Sequence, residues 1–193
     1  MSFKKNNSDD RNKMSALIDI ADAAKYNEWA NNRVYNALKS LSDEERREDR
    51  NAFFRSIHNT MNHILLADLL YRQRLEKTPI TFNSLDEIVH EDFADLEVAH
   101  RSNDSWYSEL CSSLTEEKLA SDFSFKAVGL DVEEYYALPL KTCLSNLFQH
   151  QIHHRGQVHH MISHANYDPP PLDFVKFGSN DSDKWTHYLG QND

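Results

Sequence analysis

Apolar residues recur every three to five positions through most of the chain, which is the spacing of one face of an α-helix. The pattern predicts four long helices, which run from Ser15 to about Leu41, from about Ala52 to Glu76, from an N-cap at Ser84 to about Leu114, and from Pro139 to about Asn166. Four amphipathic helices of this length can bury one shared core. The pattern therefore predicts an all-α fold, a four-helix bundle.

Local signals at the helix ends support these boundaries. Ser42 precedes three acidic residues, which is typical of a turn and a new N-cap. Ser84 with Glu87 three residues later has the form of a capping box, which predicts the start of the third helix. Thr78 and Pro79 end the second helix, because proline cannot donate the next backbone hydrogen bond.

Three segments do not follow the helical pattern. Residues 121–138 place aromatic and β-branched residues around Gly129, which predicts extended structure or a small hairpin before the last helix. Residues 1–13 are polar and predict a flexible tail, so that residues 14–193 form a single domain. Leu172 to Asp193 is a partly aromatic tail that we expect to pack on the bundle.

Composition narrows the function classes. The 193 residues carry a net charge of −10, which disfavours nucleic acid and anionic membranes as partners. The two cysteines, Cys111 and Cys143, are too few for a disulfide framework, so we expect a cytoplasmic protein with buried thiols. We expect no secretory leader and no membrane span, because no apolar segment follows the charged N-terminal residues and no run of ~18 apolar residues occurs.

Histidine is the unusual residue type, because six of the 11 histidines lie within residues 150–164. His150 and His154 are four residues apart on the fourth predicted helix, so their side chains lie about 40° apart on one face. That face also carries Cys143, Leu147 and Met161, which predicts that it points inward. Two imidazoles in this arrangement can share one metal ion.

His63 can supply a third ligand, since it lies on the apolar face of the second helix. Three neutral imidazoles leave a coordination position open, as in catalytic zinc sites, where the ion acts as a Lewis acid and activates water or a thiol. Because the ligands must be neutral, we expect metal to be lost as the pH falls below about 6.

The residues leave alternatives open. An inward histidine is more often a hydrogen-bonded core residue than a ligand, so the three histidines can also form a metal-free polar core network. His153 can take the place of His154 if the helix is rotated slightly. Asn59, Asn146 and Gln157 are candidate orienting groups near the site, and no carboxylate is identified as a general base.

The segment Gln149-His-Gln-Ile-His-His-Arg-Gly-Gln-Val-His is similar to the HxxxHRGQ-type signature of the DinB/YfiT-like family. Three further segments support the likeness over about residues 20–177. They are Tyr26-Asn-Glu-Trp-Ala-Asn, Asn62-His-Ile-Leu-Leu-Ala-Asp and Asp168-Pro-Pro-Pro-Leu-Asp-Phe.

The resemblance implies an up-down-down-up bundle with long crossovers, usually a homodimer. It also implies that nickel or zinc is bound by three histidines that match His63, His150 and His154. Family members of known activity include S-transferases that use low-molecular-weight thiols and a thiol-dependent isomerase. The founding member is named for its induction by DNA damage.

Three functions are therefore in competition. The first is a metal-dependent enzyme that activates water for hydrolysis, or a low-molecular-weight thiol for transfer to a small-molecule substrate. The second is a non-catalytic metal-binding protein with a stress-related or structural role. The third keeps the bundle without a metal. Retention of metal separates the third from the others, and turnover separates the first from the second.

Overall fold

A computed structural model of the chain describes residues 19–126 and 134–178. Within these ranges the long elements are four helices, α1 (Ile20–Leu38), α3 (Ile57–Glu76), α4 (Phe93–Ser113) and α6 (Leu140–His164). The short elements are the helices α2 (Asp43–Arg47), α5 (Glu116–Ala120) and α7 (Phe174–Gly178) and the strands β1 (Asp122–Lys126) and β2 (Tyr135–Pro139). The expected helical bundle with a small hairpin before its last long helix is confirmed.

Contacts between the long helices fix their directions. Between α1 and α4 the contacting pairs are Asn27–Asp104 and Tyr35–His100. Between α3 and α4 they are Met61–His100 and Asp68–Tyr107. Between α3 and α6 they are His63–His150 and Tyr71–Asn146. The order of these pairs makes α1 antiparallel to α4, α3 parallel to α4, and α6 antiparallel to α3. The four long helices therefore run up, down, down and up, and a long crossover joins the parallel helices α3 and α4.

The apolar core fills the space between the four long helices in two main clusters. Towards the carboxyl ends of α1 and α6 the buried side chains include Val34, Leu38, Met61, Leu65, Leu96, Val158 and Ile162. Towards the amino ends of the same helices they include Ala24, Tyr107, Leu140, Leu144, Leu147 and Phe148. Each large aliphatic side chain buried in this way stabilises the fold by about 1.5–3 kcal/mol relative to its exposure.

The second long helix begins later than predicted. The expected start near Ala52 is wrong, because Asn51 and Arg55 have positive φ angles of 56° and 69° and the Arg55 N–H donates to the Ala52 carbonyl. A tight turn therefore occupies residues 51–55. The helix starts at Ile57, and the Ser56 side chain caps it by accepting a hydrogen bond from the backbone N–H of Asn59 at 3.1 Å.

The predicted N-cap at Ser84 is also wrong, since α4 begins at Phe93 with Asp92 as its N-cap. Glu87 does accept hydrogen bonds from the backbone N–H groups of Asn83 and Ser84, at 2.7 and 3.0 Å, as in a capping box. No helix follows, because side chains of α3 bind the backbone of this segment instead. The Asn62 side chain, for example, donates to the His90 carbonyl and accepts a hydrogen bond from the His90 backbone N–H.

The first long helix is shorter than the predicted span from Ser15 to about Leu41, since it begins at Ile20 with Asp19 as its N-cap and ends at Leu38. The other boundaries agree with the described residues. The capping box of Ser42 and Glu45 starts α2, and α6 follows Pro139 and ends at His164. In the hairpin Phe123 pairs with Leu138, and residues 127–133 lie outside the described residues. Phe174 and its neighbour Phe177 pack on Tyr26 of α1, as expected for the start of the aromatic tail.

The expected flexible tail over residues 1–13 and the residues after Gly178 lie outside the described ranges. Among the described helices, none combines the length and the hydropathy that a membrane span requires.

Candidate metal site

The three predicted histidines meet between α3 and α6. Their candidate ligand atoms all lie within 4.8 Å of one another, and His63 Nε2 is 3.1 Å from His150 Nε2. The ring centroids of His154 lie 4.3 Å from His150 and 4.5 Å from His63. Three imidazoles this close can hold one metal ion. We refer to these residues as the histidine triad.

The alignment of α6 against α3 is fixed by the residue that follows His150. Gln151 is fully buried, and its amide nitrogen donates to the Ile64 carbonyl at 3.3 Å and to the carboxylate of Asp68. A buried amide with few possible partners specifies one alignment of the two helices. Gln151 thereby places the face of α6 that carries His150 opposite His63.

Hydrogen bonds on the far side of two rings determine which nitrogen is free. His63 Nδ1 donates to the Leu85 carbonyl at 2.6 Å, and His154 Nδ1 donates to the Gln157 side-chain oxygen at 2.8 Å. With the proton held on Nδ1, each neutral imidazole keeps an Nε2 lone pair for a metal. Partners of this kind are typical of histidines that bind metals.

The Nδ1 atom of His150 is different, because it is buried without a hydrogen-bond partner among the described residues. The third ring is held by the contact of its Nε2 with His63 Nε2 at 3.1 Å, by its packing against the other two rings and by the alignment of α6.

Burial keeps the triad neutral. It lowers the pKa of His63, and it lowers the pKa of His150 to about 3 and that of His154 to about 4, with the neighbouring imidazoles adding to the effect for both. All three rings are then uncharged at neutral pH and can donate a lone pair. Protons compete for these nitrogens at a lower pH than the value of about 6 expected for ordinary histidines.

A cavity of about 670 Å³ opens beside the triad. His63 and His154 line it, together with Phe53, Phe54, Asn83, Ser84, Leu85, Asp86, His153 and Gln157. The Phe54 ring stacks on His63 at a centroid distance of 3.9 Å and an angle of 21°. This volume lies within the range of small-molecule sites, and the mixture of aromatic and polar walls is usual for them.

The other residues named from the sequence have different positions. Gln157 contacts His154, as described, whereas Asn146 is exposed and donates to the Tyr71 hydroxyl at 2.8 Å. Asn59 is half-buried and is not among the residues that line the cavity. His153 is exposed, so His154 and not His153 completes the triad.

Sequence reasoning missed several residues of the site. Phe53 and Phe54 precede α3, and they were missed because the second helix was expected to begin near Ala52 and to include them. Leu85 acts through its backbone carbonyl, which no residue type reveals. Asp86 is a carboxylate that lines the cavity, and it was missed because residues 84–92 were expected to be helical.

The two cysteines are free and buried, as expected. Burial raises the pKa of Cys111 to about 12, which leaves its thiol protonated and unreactive.

The fold and the triad together define a class of protein, a bundle of four long helices with an interhelical histidine site that can hold a metal ion. The DinB family model matches residues 10–185, and the chain belongs to the DinB family.

One relative and one solved structure are similar to this chain. The chain is 26% identical to Protein DinB of Bacillus subtilis (strain 168), in an alignment that covers 77% of this chain and 87% of that protein. It is similar in fold to the crystal structure of a DinB-like protein from Bacillus cereus ATCC 10987, with a TM-score of 0.53 and 19% identity. That match covers 74% of this chain and 90% of the other.

Proposed function

We propose that the protein is a metal-dependent enzyme that binds one nickel or zinc ion through His63, His150 and His154 and acts on a small molecule in the adjoining cavity. Its reaction is either a hydrolysis or the transfer of a low-molecular-weight thiol. The observation that carries the proposal is the placement of two imidazoles, each with its proton fixed on Nδ1, at the wall of a cavity large enough for a substrate.

The donor set fits such an ion, because three neutral imidazoles suit divalent nickel and zinc. A divalent ion held in this way is a Lewis acid that lowers the pKa of a water molecule or thiol bound to it.

The chain's own residues would orient the ligands and shape the substrate site. Leu85 and Gln157 hold the His63 and His154 rings, and Phe54 covers one face of His63. Of the described lining residues outside the triad, Asp86 and His153 carry groups that can accept a proton. We assign the proton-accepting role to one of these two side chains.

Three further properties remain predictions. They are a homodimeric assembly, a cytoplasmic location and a link to stress or DNA damage. Size-exclusion chromatography with light scattering tests the first of them directly.

The test begins with elemental analysis of untagged wild type, His63→Ala, His154→Ala and the control His153→Gln. His153 is adjacent to a proposed ligand but exposed, so its variant should keep the metal. We expect about one ion per chain in wild type and control, and strongly reduced metal in the two triad variants. Equal metal in all four proteins would contradict the assignment of ligands.

Activity screens then separate the reaction types. A hydrolase turns over without any thiol, whereas a transferase consumes a thiol together with an electrophilic substrate only when metal is present. Metal retention without turnover in a broad screen would favour the non-catalytic metal-binding protein. A wild-type protein that neither retains nor takes up nickel or zinc would leave the triad as a polar core network.

A further inference from the structure

A second pair of histidines lies at the carboxyl end of α6. His160 and His164 are four residues apart, both are exposed, and their ring centroids are 4.3 Å apart with an interplanar angle of 55°. Side chains with this spacing on a helix are neighbours one turn apart, so the two rings can reach the same ion from solvent without rearrangement of the backbone. The helix therefore presents two imidazole ligands in a preformed arrangement.

This pair is separate from the histidine triad. His160 follows His150 by ten residues, which corresponds to about 15 Å along the helix axis and about 80° around it. The triad faces α3, whereas His160 and His164 are exposed to solvent. An ion bound by one group therefore shares no ligand with an ion bound by the other.

The surroundings of the pair favour a cation. His164 is the last residue of α6, where the helix dipole places partial negative charge on the final carbonyl groups. The whole chain carries a net charge of −10, which raises the local concentration of cations. His159 is not a third ligand, because it lies about 100° around the helix from His160. Its ring turns instead to the Pro170 carbonyl, to which its Nε2 donates at 3.1 Å. Water must then fill the remaining coordination positions.

We propose that His160 and His164 form a second, surface metal site that takes divalent ions with a preference for imidazole ligands. Cu²⁺ binds most tightly, and Ni²⁺ and Zn²⁺ bind more weakly, in keeping with the general order of affinities for nitrogen ligands. The site binds more weakly than the triad, because the protein supplies two ligands instead of three. It does not depend on the proposed function of the triad.

The test is a titration of purified, untagged protein with Cu²⁺ after the triad has been loaded with zinc. Equilibrium dialysis followed by elemental analysis counts both metals at each Cu²⁺ concentration. We expect the sum of zinc and copper to rise from one to two ions per chain in the wild type, because copper that replaces zinc in the triad does not change this sum. His160→Gln and His164→Gln should each weaken this additional binding by about 10-fold or more, because loss of a direct ligand has at least the effect of losing a partner of that ligand.

Two controls make the result specific. His159→Gln removes a histidine from the same turn of α6 and should leave the additional binding unchanged. His63→Ala should lose the zinc and keep the surface copper. This variant therefore distinguishes an error in the triad assignment from an error in the assignment of the surface site. Electron paramagnetic resonance should report two coordinating nitrogens in the wild type and one in either single variant. Additional copper binding of equal strength in wild type, His160→Gln and His164→Gln would overturn the proposal.

Discussion

His154 and Arg155 are consecutive residues of α6 that belong to two different polar regions of the bundle. His154 faces α3 and lines an open cavity, whereas Arg155 is only 2% exposed and contacts α1. Both regions bury polar atoms in the bundle. They differ in how the polar side chains are connected to one another.

In the second region two asparagines connect a buried cation to a buried acid. Arg155 Nη1 donates to the side-chain oxygens of Asn27 and Asn31, the latter at 3.1 Å. The amide nitrogens of both asparagines donate to Asp104 at 3.0 Å. Burial raises the pKa of Asp104 to about 7, although the asparagine hydrogen bonds and Arg155 act against that rise. We call these four residues the arginine network.

The difference between the regions shows what each is suited for. Both amide groups of the arginine network have donors and acceptors in use, so the network specifies how α1, α4 and α6 pack. In the histidine triad, Nδ1 of His63 and Nδ1 of His154 carry the proton, so Nε2 is the lone-pair nitrogen of each ring, and His63 Nε2 lies 3.1 Å from His150 Nε2 beside a cavity. Such an arrangement contributes little to folding in the absence of a metal, and a buried polar atom without a partner, such as His150 Nδ1, is a feature of functional sites.

The sharpest test of this comparison replaces one side chain in each region and measures the free energy of unfolding of each metal-free variant. Arg155→Leu should lower the free energy of unfolding by about 3–5 kcal/mol, because it leaves Asp104 and two amides buried without their cation. His154→Ala should have a much smaller effect on unfolding of the metal-free protein while removing metal binding. Urea denaturation of both variants and the wild type measures the free energies.

Arg47→Leu is the matched control, since Arg47 forms its ion pairs at the protein surface with Asp43 and Glu91. Its effect should stay within about 1 kcal/mol. If Arg155→Leu unfolded as easily as the control and lost only metal, Arg155 would belong to the metal site and the comparison would fail.

The pH dependence of stability provides the next largest effect. His100 is fully buried and its Nε2 donates to the Met61 carbonyl, and burial lowers its pKa from 6.5 to about 4. Above pH 6.5 the ring is neutral in both states, so the stability is fully present. As the pH falls from 6.5 to 4 the unfolded chain takes up a proton that the folded chain does not, and stability decreases by about 3 kcal/mol.

Comparison of wild type with His100→Gln isolates this effect. Urea unfolding at several pH values between 7.5 and 4.5 should give a shallower decrease for the variant. His150 and His154 titrate over the same range in the metal-free protein, but they do so in both proteins and cancel in the difference of slopes. Parallel pH profiles would show that His100 does not carry this dependence.

The sequence was sufficient to predict the features that follow from the helical spacing of residues. Helical periodicity identified the four long helices, and the i,i+4 spacing of His150 and His154 placed both on one inward face. Gln157 was also expected near the site, because it lies one turn from His154 on the same helix. These features depend on residue type and local spacing, which the sequence contains.

Other features depend on contacts between distant segments. Ser84 and Glu87 have the spacing of a capping box, yet the segment stays a loop because Asn62 and His63 of α3 bind its backbone. The arginine network was not anticipated, because Asn27, Asn31 and Asp104 lie at unremarkable positions on helices far apart in sequence. The intrinsic helix propensity of a residue contains no information on hydrogen-bond partners in distant segments.

The smallest of the expected effects concerns the residue that connects the triad to its surroundings. Gln157 accepts the Nδ1 proton of His154 at 2.8 Å, and its amide nitrogen donates to His153 Nε2 at 3.3 Å. Gln157→Leu removes the acceptor, so the His154 ring can rotate and its Nδ1 proton is buried without a partner. We expect metal affinity to fall by about 10- to 100-fold.

Gln157→Glu distinguishes the loss of an acceptor from a general disturbance of α6. A carboxylate at this position still accepts the Nδ1 proton and increases the basicity of the ring, so affinity should equal or exceed that of the wild type. Gln149→Leu changes an exposed glutamine of the same helix and should leave affinity unchanged. Competition with a chromogenic chelator measures all four affinities. An equal loss in Gln157→Leu and Gln157→Glu would mean that His154 is oriented by its packing against Phe54 and His150 and not by Gln157.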